Sequence, residues 1–367
     1  MSEEPLIAPA RSPDPRIGSL VDLLGFEPIA RERMTAAAFD YVAGGAGGEE
    51  SLAENLAAWR RRVLRPRVLV DVSSIDVSTT LLGAQSALPV AIAPMANLGL
   101  ADPEAEVAMA SGAAAAGIPF TLSTISNRSI EEVAVGAPDG VRWFQLYAQN
   151  DRDLTKSLCE RAASAGYRAI VLTVDLPVLG IRERDRRHGF VRDLPLGNFP
   201  AGPDPRLAPG PAQRTGDPRN PRLVWDDVET IRGWTGLPIV LKGILTAEDA
   251  SMAVAHGADG IVVSNHGARQ LDRVGAPIDA LEEVVAAVSG RAEVWVDGGV
   301  RRGVDVAVAM ALGARGVLIG RPMLWALAAG GVSGVIRALQ LLREDVEVTF
   351  ALLGVGSVGA ITRAHVR

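Results

Sequence analysis

Short apolar runs alternate with amphipathic segments along most of the chain. The runs at 89–93, 119–122, 142–146, 169–173, 238–241, 260–263, 293–296 and 316–319 read as strands. They lack polar alternation, as parallel strands buried on both faces do. Segments with helical spacing at 104–116, 129–135, 151–165, 247–256, 280–288 and 304–312 fall between or after them. Strand then helix, repeated, predicts a parallel sheet, and eight repeats predict closure into an α/β (β/α)8 TIM barrel. A doubly wound open sheet is the rival. Polar residues at the tips of all eight strands, and no GxGxxG after the first, speak against it.

Three further helical stretches, 17–33, 35–42 and 51–62, precede the repeat and predict an N-terminal helical extension to a single domain over 17–367. Residues 1–16, with acids and prolines but no apolar core, predict a disordered arm rather than a signal peptide. The beat breaks once. Pro and Gly crowd the chain between about 193 and 222, and the loop from about 185 to 225 after strand four predicts a lid over the barrel mouth.

The strand ends carry the chemistry. Past the sixth strand, Ser264, Asn265, His266, Gly267 and Arg269 put a proton acceptor and a cation at a C-terminal strand end. That is the end at which barrels of this kind hold their active sites. Asp175, at the end of strand four, can hold an imidazolium at His266. Tyr41, Tyr147, Arg182 and Arg269 add phenols and guanidiniums, and two arginines suit a carboxylate. Arg182 also opens the charge run 182–187, a pattern equally at home on a solvated face.

After strand seven come Asp297, Gly298, Gly299, Val300 and Arg301, and after strand eight Gly320 and Arg321. Such turns bind phosphate through close backbone amides and bidentate arginine. Lys242 ends a strand, where a buried cation calls for an anion. Gln145 and Thr173 can bond the edge of a planar heterocycle, and the stretch through Pro94, Met95 and Ala96 can lie against its face. Together they outline a pocket for FMN, with Lys242 stabilising negative charge on the reduced ring.

Composition narrows the class. The 367 residues are 48% hydrophobic with net charge −6, so no basic face for nucleic acid is expected. A single cysteine, Cys159, excludes an internal disulfide and suits a reducing, cytoplasmic setting. No metal site and no membrane span are expected.

The stretches Ser-Asn-His-Gly-Ala-Arg-Gln-Leu-Asp (264–272), Leu-Thr-Val-Asp-Leu-Pro (172–177), Leu-Lys-Gly-Ile-Leu-Thr-Ala-Glu-Asp (241–249) and Asp-Gly-Gly-Val-Arg (297–301) resemble the FMN-dependent L-2-hydroxy acid oxidase and dehydrogenase family. That resemblance implies a small 2-hydroxy acid substrate and a homotetramer or octamer. It makes His266 the base backed by Asp175. Arg182 and Arg269 bind the substrate carboxylate, and Tyr41 and Tyr147 bond the substrate. Lys242 faces the flavin, Ser123, Gln145, Thr173 and Ser264 hold its ring and ribityl chain, and Arg301, Gly320 and Arg321 hold its phosphate. Ala96 implies O2 as acceptor, giving H2O2; the alternative is a dehydrogenase using a quinone or cytochrome. A non-redox FMN barrel and a non-catalytic flavin binder are disfavoured by His266, Asp175 and both arginines. The chain departs from the family at Ile181, Met95 and Ile125. Ile125 and Val178 imply an apolar pocket wall, which disfavours glycolate.

Overall fold

The computed structural model describes residues 8–190, 194–199 and 219–367. The chain opens with helices α1 (Phe26–Arg33), α2 (Ala36–Ala43) and α3 (Glu50–Arg60), followed by a hairpin of β1 (Thr79–Leu81) and β2 (Ala84–Ser86). The repeat then runs β3 (Val90–Ile92), α4 (Ala105–Ala115), β4 (Phe120–Ser123), α5 (Ile130–Gly136), β5 (Arg142–Leu146), α6 (Arg152–Ser164) and β6 (Ile170–Thr173). It continues through α7 (Glu183–Arg187), α8 (Asp226–Thr235), β7 (Ile239–Ile244), α9 (Ala247–Ala255), β8 (Gly260–Val263), α10 (Pro277–Val288), β9 (Glu293–Val296), α11 (Gly303–Ala311), β10 (Gly316–Ile319) and α12 (Arg321–Leu353). Strands β3 to β10 pair in parallel, and β10 returns to β3, so the barrel closes as expected.

Alternation along each strand sorts the side chains. Ala91, Trp143, Val171, Val240, Val262, Trp295 and Leu318 fill the barrel interior, with Leu81 of the hairpin buried among them. Their neighbours, such as Ile92, Phe144, Leu172 and Ile261, face the helices. Layered filling of this kind makes the interior a packed core, leaving the C-terminal rim for chemistry. The hairpin is not apparent from periodicity, because its strands are three residues long and too short to show a period.

The N-terminal segment departs from expectation twice. In place of one helix over 17–33, there are 3-10 turns at Pro15–Ser19 and Leu23–Gly25 before α1. Asp14 accepts from the backbone amide two residues on, and Asp22 from those two and three residues on, and so they divert the chain into short turns. Nor is the second half of the expected disordered arm free. The Ala8 amide donates to Gly99 and the Asp14 amide to Ala329, each at 2.9 Å, and the Asp14 carboxylate pairs with Arg16 and Arg33. Backbone pairing and an almost buried ion pair offset the entropy of ordering it. Residues 1–7 lie outside the described residues.

Helix α12 is the longest element and breaks at Gly330 and Gly331, which leave helical geometry. Its most apolar window is hydrophobic enough to cross a membrane, but 72% of that window is buried inside the protein. The helix packs chiefly on α1, α4 and α11. Its hydrophobicity is accounted for by the core.

One buried acid organises the rim next to β3 and β4. Glu106, in the first turn of α4, is fully buried. It accepts from the backbone amides of Leu98 (3.4 Å), Asn127 (3.0 Å) and Arg128 (3.0 Å). These bonds fasten the loops after β3 and β4 to each other. Burial pushes its carboxyl up from 4.5 to about 7, against the pull of those amides. Between those two values the folded state holds a proton that the unfolded chain has lost. This group therefore favours folding in acid, and its contribution falls by roughly 3 kcal/mol as pH rises through that window. Urea unfolding at several pH values is expected to show this slope in the wild type and its absence in Glu106→Gln, which stays neutral; equal slopes would refute the assignment.

Candidate active site

After β8 the chain takes an improbable path. His266, Gly267 and Ala268 follow one another in the left-handed region, at φ 59°, 63° and 62°. Each non-glycine residue there costs about 1–2 kcal/mol, so the turn must be held from outside. Asn265 and Asn55 of α3 exchange amide hydrogen bonds at 2.9 and 2.7 Å. Ser264 Oγ accepts from the His266 amide at 3.0 Å. Asp272 accepts from the amides of Ser51 and Glu50 at the N-terminus of α3. The N-terminal extension thus braces the loop that carries the base. A Cβ on Gly267 would meet the Arg321 guanidinium at 3.1 Å.

The turn aims His266 between two partners. Its Nδ1 lies 2.9 Å from Asp175 Oδ1, and its Nε2 lies 3.3 Å from the Tyr147 hydroxyl. A carboxylate partner keeps the proton on Nδ1 and leaves Nε2 as acceptor. Burial pushes the imidazole below its ordinary value; Asp175 opposes this, and the Lys242 and Arg182 cations add to it. Burial alone would raise Asp175, but His266 and Lys242 outweigh it and hold the carboxylate below its usual range. A neutral base therefore faces an ionised acid at neutral pH.

Lys242 is buried at the tip of β7, with Nζ 3.1 Å from Asp297 and 2.8 Å from Ser264 Oγ. Burial would lower it, but Asp297 and Asp175 raise it above its usual value. The strand register slips after Lys242, and Gly243 takes φ 115°. A Cβ there would come within 2.6 Å of Asp175, so the lysine and the acid share the rim only because a glycine follows the lysine.

A cavity opens above these groups. Tyr41, Tyr147, Arg182, Lys242, His266 and Arg269 line it on one side. Pro94, Met95, Ala96, Ser123 and Thr173 line the strand tips. Asp297, Gly298, Gly299, Val300, Arg301, Gly320 and Arg321 line the far end. Three predicted residues do not reach it. Asp175 stands behind His266. Ser264 supports Lys242 and His266. Gln145 bonds to Ser123 Oγ, the Thr124 amide and Thr173 Oγ1. Ser264 and Gln145 thus position residues that face the cavity.

Arg182 belongs to the cavity rather than to a solvated face. Within its charge run, Arg184 pairs with Asp40 and Glu49, and Arg187 with Glu183. Arg182 instead lies with Cζ 5.9 Å from the Tyr41 ring and donates to the Arg269 carbonyl at 3.5 Å. Arg269 Nη1 donates to the carbonyls of Tyr41 and Gly44, each at 2.8 Å.

At the far end, Arg321 donates to the carbonyls of Val42, Gly44 and Gly267. Among the described residues no carboxylate pairs with Arg269, Arg301 or Arg321. Burial, then the neighbouring Arg269, Arg301 and Arg182, pushes Arg321 well below its usual value, and burial lowers Arg301. Concentrated, partly buried cations of this kind demand an anion.

The expected lid falls partly outside the described residues, at 191–193 and 200–218. On its flanks, Asn198 donates to Thr124 O and Ser126 Oγ, and Arg219 bridges to Gln149. Arg219, Leu176 and Leu179 line the cavity without having been anticipated. The two leucines follow Asp175 closely, a signal that was legible; Arg219 sits in a Pro/Gly-rich stretch with no pattern. Val178 is not in the cavity wall and is half exposed, so the expected apolar wall is built by Ile125, Leu176 and Leu179 instead.

Comparison with known proteins agrees with this geometry. Residues 30–367 match the family described as FMN-dependent dehydrogenase. The chain is 50% identical over 348 residues to an L-lactate oxidase of Nostoc sp., covering 92% of this chain and 95% of that protein. It is 48% identical to a glycolate oxidase of Spinacia oleracea, covering 93% and 94%. A solved mandelate oxidase with (S)-4-hydroxymandelic acid superposes with a TM-score of 0.90 at 45% identity, covering 95% and 98%.

The Asp175–His266 pair can be tested without turnover. Asp175 is the main influence raising the imidazole, so Asp175→Asn is expected to lower it further. NMR titration of selectively 13C-histidine-labelled protein should show one imidazole titrating below the ordinary 6.5 and moving to lower pH in the variant. A shift to higher pH would remove Asp175 from this role.

Proposed function

The chain belongs to the FMN-dependent dehydrogenase family, and from that premise we propose the reaction its rim performs. It oxidises an L-2-hydroxy acid to the 2-oxo acid and delivers the electrons to O2, giving H2O2. The observation that carries this is His266, backed by Asp175 and facing a cavity that also presents two arginines and two tyrosines.

The residues present fit FMN. Arg301 and Arg321 are buried cations whose described partners are carbonyls, and with Gly298, Gly299 and Gly320 they would hold the phosphate. Lys242, Thr173, Ser123 and the stretch Pro94 to Ala96 would hold the ring. FMN, when bound, supplies a two-electron acceptor that is reoxidised by O2.

The protein groups do the rest. Arg182 and Arg269 come from different loops and converge beside Tyr41, so together they grip one carboxylate. That grip fixes the carbinol carbon in the cavity and makes the reaction effectively unimolecular. His266 Nε2 receives a proton from the carbinol. The Asp175 carboxylate then faces an imidazolium across 2.9 Å and stabilises its charge. Tyr147, 3.3 Å from that nitrogen, holds the substrate oxygen beside it. Ile125, Leu176 and Leu179 favour an apolar side chain on the substrate over glycolate.

Two coarser features of the reading concern setting. A cytoplasmic protein is supported by one free, buried cysteine. A homotetramer or octamer is supported by the exposed apolar run Val68, Leu69 and Val70, which is surface for another subunit to cover.

The function is tested by mixing the purified yellow protein anaerobically with a panel of 2-hydroxy acids and then admitting air. Bleaching and recovery of the flavin, with FMN released on heating, are expected; bound FAD or no bleaching with any acid would overturn the reading. In His266→Ala, FMN should remain bound while reduction slows by roughly 10²–10⁴-fold.

The carboxylate grip gives a second test. Lysine keeps the charge of arginine but lacks the planar fork. Arg269→Lys is expected to raise KM for 2-hydroxy acids at least about tenfold and to weaken oxalate competition in parallel. Arg182→Lys should raise KM and slow flavin reduction; unchanged values would leave the carboxylate to Arg269 and the tyrosines.

A further inference from the structure

Arg182 opens a short segment that ends at Phe190, and both ends meet the Tyr41 ring. Arg182 Cζ lies 5.9 Å from that ring, and Phe190 stacks on it at 4.9 Å. Between them runs α7, five residues long, with no buried residue and no side-chain cap at its N-terminus. A helix that short is not stable on its own, and one without an apolar face is not held by burial. Polar contacts must therefore fix it.

These contacts converge on α2 and the glycine-rich turn after it. Asp40 of α2 divides its carboxylate, with Oδ1 3.3 Å from Arg184 Nη1 and Oδ2 2.7 Å from His188 Nε2. Glu49 divides its own. Its Oε2 accepts from Arg184 Nη2 at 2.5 Å, and its Oε1 from the Gly45 amide at 2.9 Å. Glu49 stands in the left-handed region at φ 65°, a costly conformation for glutamate that these bonds help to hold. The Arg184 stem passes Gly44 so closely that a Cβ there would meet its Cδ at 3.2 Å. One residue before Arg182, Ile181 O accepts from the Gly47 amide at 2.9 Å. The turn and α2 thus hold the segment on either side of Arg182. The charged groups are partly exposed, and an isolated pair there would contribute little. A network in which one guanidinium serves two carboxylates is the stronger case.

Resting on the function above, in which Arg182 binds the substrate carboxylate, we propose that Arg184 is a positioning residue, latched on Asp40 and Glu49, that holds α7 so that Arg182 stays over the cavity. Arg184 does not line the cavity, and its described partners are both carboxylates, so it acts without touching substrate. It acts by pre-organisation. A guanidinium already in place binds a carboxylate without first giving up the freedom of its own loop. With the latch open, that ordering is required at every binding event.

Arg184→Met tests this, because methionine keeps the apolar stem and the helix propensity but removes the charge. It is expected to raise KM, and the Kd of oxalate read from the flavin spectrum, by about fivefold. Flavin reduction at saturating substrate should slow less, and FMN content should not change. Arg184→Lys, which keeps the charge without the fork, should recover part of the loss. In the double variant Arg182→Lys/Arg184→Met, the oxalate Kd should lie within about twofold of Arg182→Lys alone, since Arg184 acts through Arg182. Equal oxalate affinity in Arg184→Met and wild type would overturn the role. So would a full extra penalty in the double variant, or loss of FMN together with oxalate, which means general loosening. A wild type that oxidises no 2-hydroxy acid and binds no oxalate would overturn the function first, and this role with it.

Discussion

Partly buried positive charge that the protein does not neutralise governs the C-terminal end of this barrel. Arg269 and Arg301 disfavour the charge on Arg321, and the described acceptors of Arg269 and Arg321 are backbone carbonyls. Carbonyl dipoles orient a guanidinium but do not cancel its charge. The site is therefore suited to anions, as the proposed function requires of it. Lys242 is the exception. It is paired internally with Asp297, which offsets the burial that works against its charge.

The same carbonyls explain why a barrel needs the segment before it. Val42 and Gly44, at the end of α2, accept from both Arg269 and Arg321. Asn55 and Trp59 of α3 reach Asn265 and Gly298. The extension fixes the arginines and the His266 turn together, so the strained left-handed run is stable only in the assembled protein.

Much of this was legible in the chain. Eight apolar runs with polar tips specify a parallel barrel, because strands buried on both faces and helices with one apolar face leave few other arrangements. Strand positions fell within a residue or two, except where β7 runs on past its bulge. The residue types at the strand ends, with the resemblance of four stretches to one family, named the base, the arginines and the cofactor. Short elements were not legible: the hairpin and the 3-10 turns at Asp14 and Asp22 are decided by single side chains or by burial at the N-terminal end of the barrel, and leave no period.

What the sequence by itself determined was the set of groups available and the end of the barrel that carries them. Only the tertiary structure decided which groups face the cavity and which stand behind it. Gln145 and Ser264 look from the chain like ligand contacts, and the fold adds bonds from them to cavity-lining neighbours on adjacent strands. Arg182 looks like a surface charge, yet its run divides, with Arg184 and Arg187 taking acidic partners while Arg182 turns inward. The physical reason is common to these cases. A polar side chain's role depends on where its few hydrogen bonds are spent, and the partners that claim them lie far away in sequence, brought close only by closure of the barrel.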